Sequence, residues 1–286
     1  MNVGDFTNLG SRLLWGLSSV AIVLSALYSL QFPLFHPIFA VLVALIAAQG
    51  GREFYFIARQ KGYSPPDTLG AASIAGYVLA VYAAQAWHSP LLPSALLLLA
   101  HFLIFVRSFR NGQNAIANVS VASFGIFYLA YPMGALLQLA INSPSVDGCG
   151  PFWVLFVIAT TKFGDTAAYF VGRSLGRTPL APTLSPKKTI EGTAAALGGS
   201  LTAGVGLSLL GACLYAPHGP LPMFDAVVLG TLIGALGQLG DLAESALKRD
   251  AGVKDSNAIP GMGGFLDLLD SLLFTCPLVY VYLSMH

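Results

Sequence analysis

Charge is scarce in this 286-residue chain: Asp, Glu, Lys and Arg make up only 9% of it, against 55% hydrophobic residues. That leaves too little polar surface for an ordinary soluble domain. Cysteine is scarcer still. Cys149, Cys213 and Cys276 are too few and too scattered for a disulfide framework or a zinc site. The histidines, His36, His88, His101, His218 and His286, lack metal-ligand spacing. No GxSxG, GxxxxGK[ST] or HExxH occurs, so serine hydrolysis, P-loop chemistry and zinc proteolysis lose their usual sequence support. A net charge of +1 says nothing about nucleic acid, but no basic run is interleaved with aromatics, and no nucleic-acid partner is expected.

What the chain has in plenty is apolar sequence, with a mean hydropathy of +0.71. Crossing roughly 30 Å of hydrocarbon takes about 20 largely uncharged helical residues. Nine runs meet or approach that need: Leu13–Leu30, Leu34–Ala48, Leu69–Trp87, Leu91–Val106, Ala115–Ile141, Phe152–Gly172, Gly192–Leu214, Met223–Leu239 and Phe265–Met285. The expectation is an all-α, polytopic integral membrane protein of about nine transmembrane helices. Leu13–Leu30 is longer than a signal-peptide core and only Arg12 precedes it closely, so it reads as a first span.

Cytoplasmic loops retain Lys and Arg, and nine spans with the N-terminus cytoplasmic place 13 of the 14 basic residues on one side. The exception, Lys162, lies within a span. Residues 1–141 read as a transmembrane scaffold almost free of buried charge, and residues 142–286 as the catalytic half of the same membrane unit. Ionisable groups in or beside hydrocarbon are costly and point to function; they concentrate in the second half.

Three clusters stand out there. From Ser245 to Ser271, basic residues and carboxylates flank a Gly-rich turn, Pro260-Gly261-Met262-Gly263-Gly264. If the preceding helix continues past Leu239, Asp241, Glu244, Ser245 and Lys248 share one face, while Asp267, Asp270 and Ser271 share another at the start of the last span. Lys248, Arg249 and Lys254 suit phosphate oxygens, and Asp241, Asp255, Asp267 and Asp270 suit a hard divalent cation. A second cluster puts Lys162, Asp165 and Tyr169 on one helical face; Lys162 and Asp165 read either as a neutralising ion pair or as a site where Asp165 binds metal or nucleotide. The third, Ser185-Pro186-Lys187-Lys188-Thr189-Ile190-Glu191-Gly192, begins in a stretch from Arg173 to Thr189 whose three prolines read as a loop, and sets two lysines before a helix start, where anions bind readily.

With these residues assembled, the second half closely resembles the CDP-diacylglycerol synthase (phosphatidate cytidylyltransferase) family. That family's signature, SxxKRxxxxKD followed by PGHGG and LDRxDS, appears as Ser245 with Lys248-Arg249, Lys254-Asp255, Pro260 to Gly264, and Leu266-Asp267 with Asp270-Ser271. Asp165 with Ala168-Tyr169, Ser185 to Thr189 with Glu191-Gly192, and Gly240-Asp241 with Glu244 match further motifs in order. Met262 and Leu268 stand where the family usually has His and Arg, and the stretch between Asp255 and Pro260 is one residue short.

The resemblance implies transfer of a cytidylyl group from CTP to phosphatidic acid, giving CDP-diacylglycerol and pyrophosphate. It implies Mg²⁺ held by Asp241, Asp267 and Asp270, with Asp165 in support. Lys248, Arg249, Lys254 and Asp255 join these aspartates as catalytic residues. Asp165, Ser185, Lys187, Lys188, Thr189, Glu191, Ser245, Gly261, Gly263 and Gly264 are expected at the substrates. The expected setting is the bacterial cytoplasmic membrane with the site facing the cytoplasm; a second cation and a homodimer are left open. A CTP-dependent lipid or polyprenol kinase and an ion-coupled transporter are the competing classes.

Labelling of single cysteines in a cysteine-free background tests the topology. Substitutions at Gly112, Ser174 and Ser256 are expected to react from the cytoplasm, and those at Ser145 and Gly219 from outside. Ser145 and Ser256 reacting on the same side would rule out nine spans.

Overall fold

The computed structural model describes residues 21–109, 114–141, 149–215, 219–254 and 264–285. Residues 21–29 form the described part of α1, and a single 3-10 turn at Pro33–Phe35 leads into α2 (His36–Gln60). The chain continues through α3 (Asp67–Ala86), α4 (Leu92–Ser108), α5 (Ala115–Ile141) and α6 (Gly150–Leu175). A hairpin of β1 (Pro179–Ala181) and β2 (Ser185–Thr189) follows, then α7 (Ile190–Leu214), α8 (Met223–Asp250), α9 (Phe265–Leu269) and α10 (Leu272–Met285).

Seven of these segments are long and apolar enough to cross a membrane, with α9 and α10 counted as one. The protein is thus an all-helical polytopic membrane protein in class. Seven of the nine expected spans are met by length and composition among the described residues: α4 is shorter, at 17 residues, and the run Leu13–Leu30 is described only from residue 21. Large apolar side chains point outward, Leu98 and Phe102 of α4 and Phe127 of α5 among them. Lipid is the solvent that makes such a surface stable. Inside, Tyr55, Ile74, Leu129, Trp153 and Phe156 are fully buried between helices.

Three differences from the sequence expectation bear on the site. The short second run is the start of a 25-residue helix, α2, that carries a buried carboxylate, Glu53, so the first half is not free of buried charge. The stretch Arg173–Thr189, read as a loop from its prolines, contains the hairpin instead. Its antiparallel strands pair Pro179 with Thr189 and Ala181 with Ser185, and the Ile190 N–H closes its base on the Thr178 carbonyl at 2.9 Å. The last span is interrupted: the carboxylate of Asp270 accepts the backbone N–H and the hydroxyl of Ser271, local bonds that compete with the helical ladder and separate α9 from α10. By contrast, α8 does run on past Leu239 to Asp250, as the shared face of Asp241, Glu244, Ser245 and Lys248 requires. Asp255, Gly261, Met262 and Gly263 lie outside the described residues.

The basic helix ends gather at one end of the bundle. Lys61, just after α2, pairs with Asp250 at the end of α8 at 2.8 Å, and Arg249 donates to the Leu184 carbonyl of the hairpin turn at 3.2 Å. Small residues bring α6, α7 and α8 close, backbone to backbone at Gly192, Gly230 and Gly234, and α8 meets the α9–α10 junction in the same way. A Cβ on Gly240 would sit 2.4 Å from the Asp270 carbonyl oxygen. Only glycine lets α8 reach the α9–α10 junction there, and a backbone atom cannot rotate aside.

Gly240→Ala is therefore expected to cost about 1–3 kcal/mol of stability, the usual penalty of overpacking, and to lower activity by displacing Asp270. Gly198→Ala, where a Cβ meets nothing within 4 Å, should leave the detergent-solubilised unfolding temperature unchanged or slightly higher. Equal behaviour of the two variants would count against the close contact.

Candidate functional site

A cavity of about 700 Å³ opens where α6, α7, α8, the α9–α10 junction and β2 converge. Its wall takes Lys162, Asp165, Tyr169 and Arg173 from α6, Lys187, Lys188 and Thr189 from β2, and Gly192 and Thr193 from α7. Gln238 and Asp241 come from α8, and Asp267, Asp270 and Ser271 from the junction. Four cationic and four carboxylate side chains thus share one wall. All three sequence clusters meet here, although about a hundred residues separate Lys162 from Ser271.

Local structure explains how each element presents its groups. On α6, the spacing of Lys162, Asp165 and Tyr169 keeps them on one face, with Lys162 Nζ 3.3 Å from Asp165 Oδ2 and Gln238 Nε2 donating to Asp165 Oδ1 at 3.4 Å. One turn on, Arg173 Nη1 donates to the Tyr169 hydroxyl at 2.9 Å. The hairpin swings Lys187 and Lys188 over the start of α7. There Thr189 caps the helix, its hydroxyl accepting the Gly192 N–H at 3.1 Å. Lys188 Nζ reaches across to Asp241 Oδ2 at 2.7 Å and links β2 to α8.

An ion triad runs from Lys248 and Glu244, buried behind the wall, to Asp267 in the wall itself. Lys248, 7% exposed at its side chain, bonds Glu244 Oε1 at 2.9 Å and also the Asp267 carboxylate, while the Glu244 side chain is 3% exposed. Asp267 accepts the Gly264 N–H at 2.7 Å as well. Asp270 lies close enough to Asp241 and Lys162 to feel both charges.

The expected residues divide accordingly. Asp165, Lys187, Lys188, Thr189, Asp241, Asp267 and Asp270 line the cavity. Ser185, Glu191, Ser245, Lys248, Arg249, Lys254 and Gly264 are described but do not line it. Glu191 instead accepts the backbone N–H groups of Arg177 and Thr178 and the Thr178 hydroxyl at 3.1–3.3 Å, which anchors the hairpin to α7. Lys248, expected at substrate phosphates, is engaged by two carboxylates.

Asp241, Asp267 and Asp270 share the cavity, yet among the described residues no three His, Cys, Asp or Glu side chains converge into a ready metal site. Lys162, Tyr169, Arg173, Thr193 and Gln238 enter the wall without having been expected there as ligand-binding groups. The helical spacing of Lys162, Tyr169 and Arg173 was a usable signal; Gln238 lay in an apolar run without one.

Glu53 was also missed. Only 5% exposed, it accepts the N–H groups of Phe265 and Leu266 at 3.0 and 2.9 Å.

Helix count, apolar exterior and a cavity lined by charged side chains define a polytopic membrane protein with a charge-rich site. The chain belongs to the cytidylyltransferase family, which it matches over residues 10–286. It is 35% identical over 268 residues to the phosphatidate cytidylyltransferase of Synechocystis, covering 85% of this chain and 87% of that protein. Similarity to the phosphatidate cytidylyltransferase of Chlamydia pneumoniae is 32% over 266 residues, 90% of this chain and 86% of the relative. An Escherichia coli protein of uncharacterised function, YnbB, is 40% identical over 146 residues, 51% of this chain and 46% of its own.

The triad yields a stability prediction. Lys248→Met removes the cation that Glu244 and Asp267 share among the described residues and leaves the buried Glu244 carboxylate without it, a change that typically costs about 3–5 kcal/mol. Glu244→Gln keeps an acceptor for Lys248 and should cost less. Chemical denaturation of both variants in detergent ranks them.

Proposed function

We propose that the protein is a CTP:phosphatidate cytidylyltransferase, a nucleotidyltransferase that makes CDP-diacylglycerol and pyrophosphate from CTP and phosphatidic acid for phospholipid synthesis. The observation that carries this reading is the cavity wall, where four cations and four carboxylates meet at the end of membrane-spanning helices. Membership of the cytidylyltransferase family and the names of the two long-matching relatives support it.

In this reaction a phosphate oxygen of phosphatidic acid attacks the α-phosphorus of CTP. The bond from that phosphorus to the bridging oxygen of the β-phosphate breaks, and pyrophosphate leaves with the electron pair. The nucleophile is already an anion near neutral pH, so the barrier lies in bringing two polyanions together in line. Lys187 and Lys188 from the hairpin and Arg173 from α6, all in the cavity wall, would hold phosphate oxygens.

The donor set fits Mg²⁺. Asp241 and Asp270 are hard oxygen donors on one wall, close enough to interact electrically, and Mg²⁺ uses one or two protein carboxylates together with substrate phosphates rather than a full cage. These two would hold it, with Asp165 alongside; when bound it would neutralise triphosphate charge. The basic end of the bundle faces the cytoplasm in this reading, the side from which CTP arrives, and phosphatidic acid enters laterally from the bilayer.

Purified protein given CTP and phosphatidic acid with Mg²⁺ is expected to form CDP-diacylglycerol and pyrophosphate in equal amounts. CDP released together with a phosphorylated lipid alcohol would mark a CTP-dependent kinase instead. Asp241→Asn and Asp270→Asn should each lower turnover roughly 100-fold, the scale of one strong electrostatic contact at a transition state, and added Mg²⁺ should restore part of it. Chelation with EDTA should abolish product. Near-normal turnover and Mg²⁺ dependence in both variants would place the metal elsewhere.

A further inference from the structure

The junction that carries Asp267, Asp270 and Ser271 into the cavity begins with a five-residue helix, α9. Helix N-termini leave their first N–H groups without intrahelical partners, and the N-cap position here is Gly264, which has no side chain to supply one. The Gly264 N–H goes to Asp267. The next two, of Phe265 and Leu266, are taken by the two oxygens of Glu53 at 3.0 and 2.9 Å. Glu53 is 212 and 213 residues away in the chain, on α2, and is 5% exposed. It does not line the cavity. Among the described contacts its carboxylate serves α9 alone.

A buried carboxylate in a membrane helix is costly unless fully hydrogen-bonded, and a helix of five residues has little cohesion of its own. The two problems solve each other. With both oxygens engaged, Glu53 fixes the direction in which α9 starts. That direction sets where Asp267 meets Lys248 and where Asp270 faces Asp241.

We infer that Glu53 is a positioning residue for cytidylyl transfer: from the first half of the chain it holds the N-terminus of α9 so that Asp267 and Asp270 face the reaction cavity. The inference rests on the proposed reaction for its kinetic arm only.

Three measurements test it. In the first, Glu53→Gln, which keeps one acceptor oxygen but turns an NH₂ group toward an N–H, should lower kcat by ~10–100-fold, the range for residues that orient a ligating group, with KM for CTP and phosphatidic acid moving less than about threefold. Glu53→Asp keeps the charge but is one methylene shorter, and should fall between Glu53→Gln and wild type. In the second, the double variant Glu53→Gln/Asp267→Asn should be no more than about threefold slower than Asp267→Asn alone, because both changes act through α9.

The third is hydrogen exchange on metal-free protein in detergent without substrate. The peptide spanning 264–272 should be protected in wild type and exchange faster in Glu53→Gln, while peptides from α7 remain unchanged.

Wild-type turnover in Glu53→Gln, fully multiplicative losses in the double variant, or absent protection of 264–272 in wild type would each overturn the inference. Should Glu53→Gln fail to accumulate, the wild-type exchange measurement and Glu53→Asp still decide it. Inactivity of the wild-type enzyme on CTP and phosphatidic acid would overturn the reaction instead, leaving the exchange result to judge the positioning.

Discussion

The site depends on one buried cation. Lys248 sits in a low-dielectric pocket between Glu244, one turn earlier on α8, and Asp267 on α9. Neither the lysine nor Glu244 could remain charged there alone, since desolvation of a single ion would exceed what hydrogen bonds return. Together they tie the last two membrane segments to each other at the level where the cavity opens. Asp267 reaches Lys248 only because α9 starts where it does, and Asp270 lies against α8 only because residue 240 has no side chain.

Around that junction, polar groups make two kinds of contact. Some are committed to the protein: Glu191 to the hairpin backbone, Glu53 to α9 and Arg249 to the Leu184 carbonyl. Others face open space in the cavity, with ion pairs such as Lys188 with Asp241 and Lys162 with Asp165 that are partly exposed. The distinction matters energetically. Of the committed groups Glu53 is buried with both oxygens bonded, so it sets geometry and is costly to disturb, whereas a half-exposed pair can exchange its partner for a ligand phosphate or a cation at modest cost. The cavity therefore combines a rigid frame with exchangeable charges, which suits polyanions that must bind, react and leave.

Much of this was legible in the chain. Scarce charge and apolar runs gave the membrane class, and the helical spacing of Lys162, Asp165 and Tyr169 placed them on one face. The shared face of Asp241, Glu244, Ser245 and Lys248 followed from their i, i+3, i+4 and i+7 spacing, given that α8 runs on past Leu239. Charge density alone marked the residues between Ser245 and Ser271 as chemically distinct. Roles were harder to read than places. Lys248 and Glu191 looked like ligand-binding groups because residue type and motif position do not reveal whether a charge points into a cavity or into a neighbouring helix. The hairpin was missed because three prolines in a polar stretch read as loop, while its pairing requires only short strands closed by Ile190 onto Thr178.

By itself the sequence determined the solvent of this protein, the positions of most helices and the chemical inventory of its site, because those follow from composition and local periodicity. Only the tertiary structure decided which charges meet. Pairings such as Glu53 with the N–H groups of Phe265 and Leu266, or Lys188 with Asp241, join segments whose separation along the chain carries no periodic signal. Their geometry is set by how closely helices can approach, through small residues such as Gly240, and by the need to satisfy every polar group removed from water.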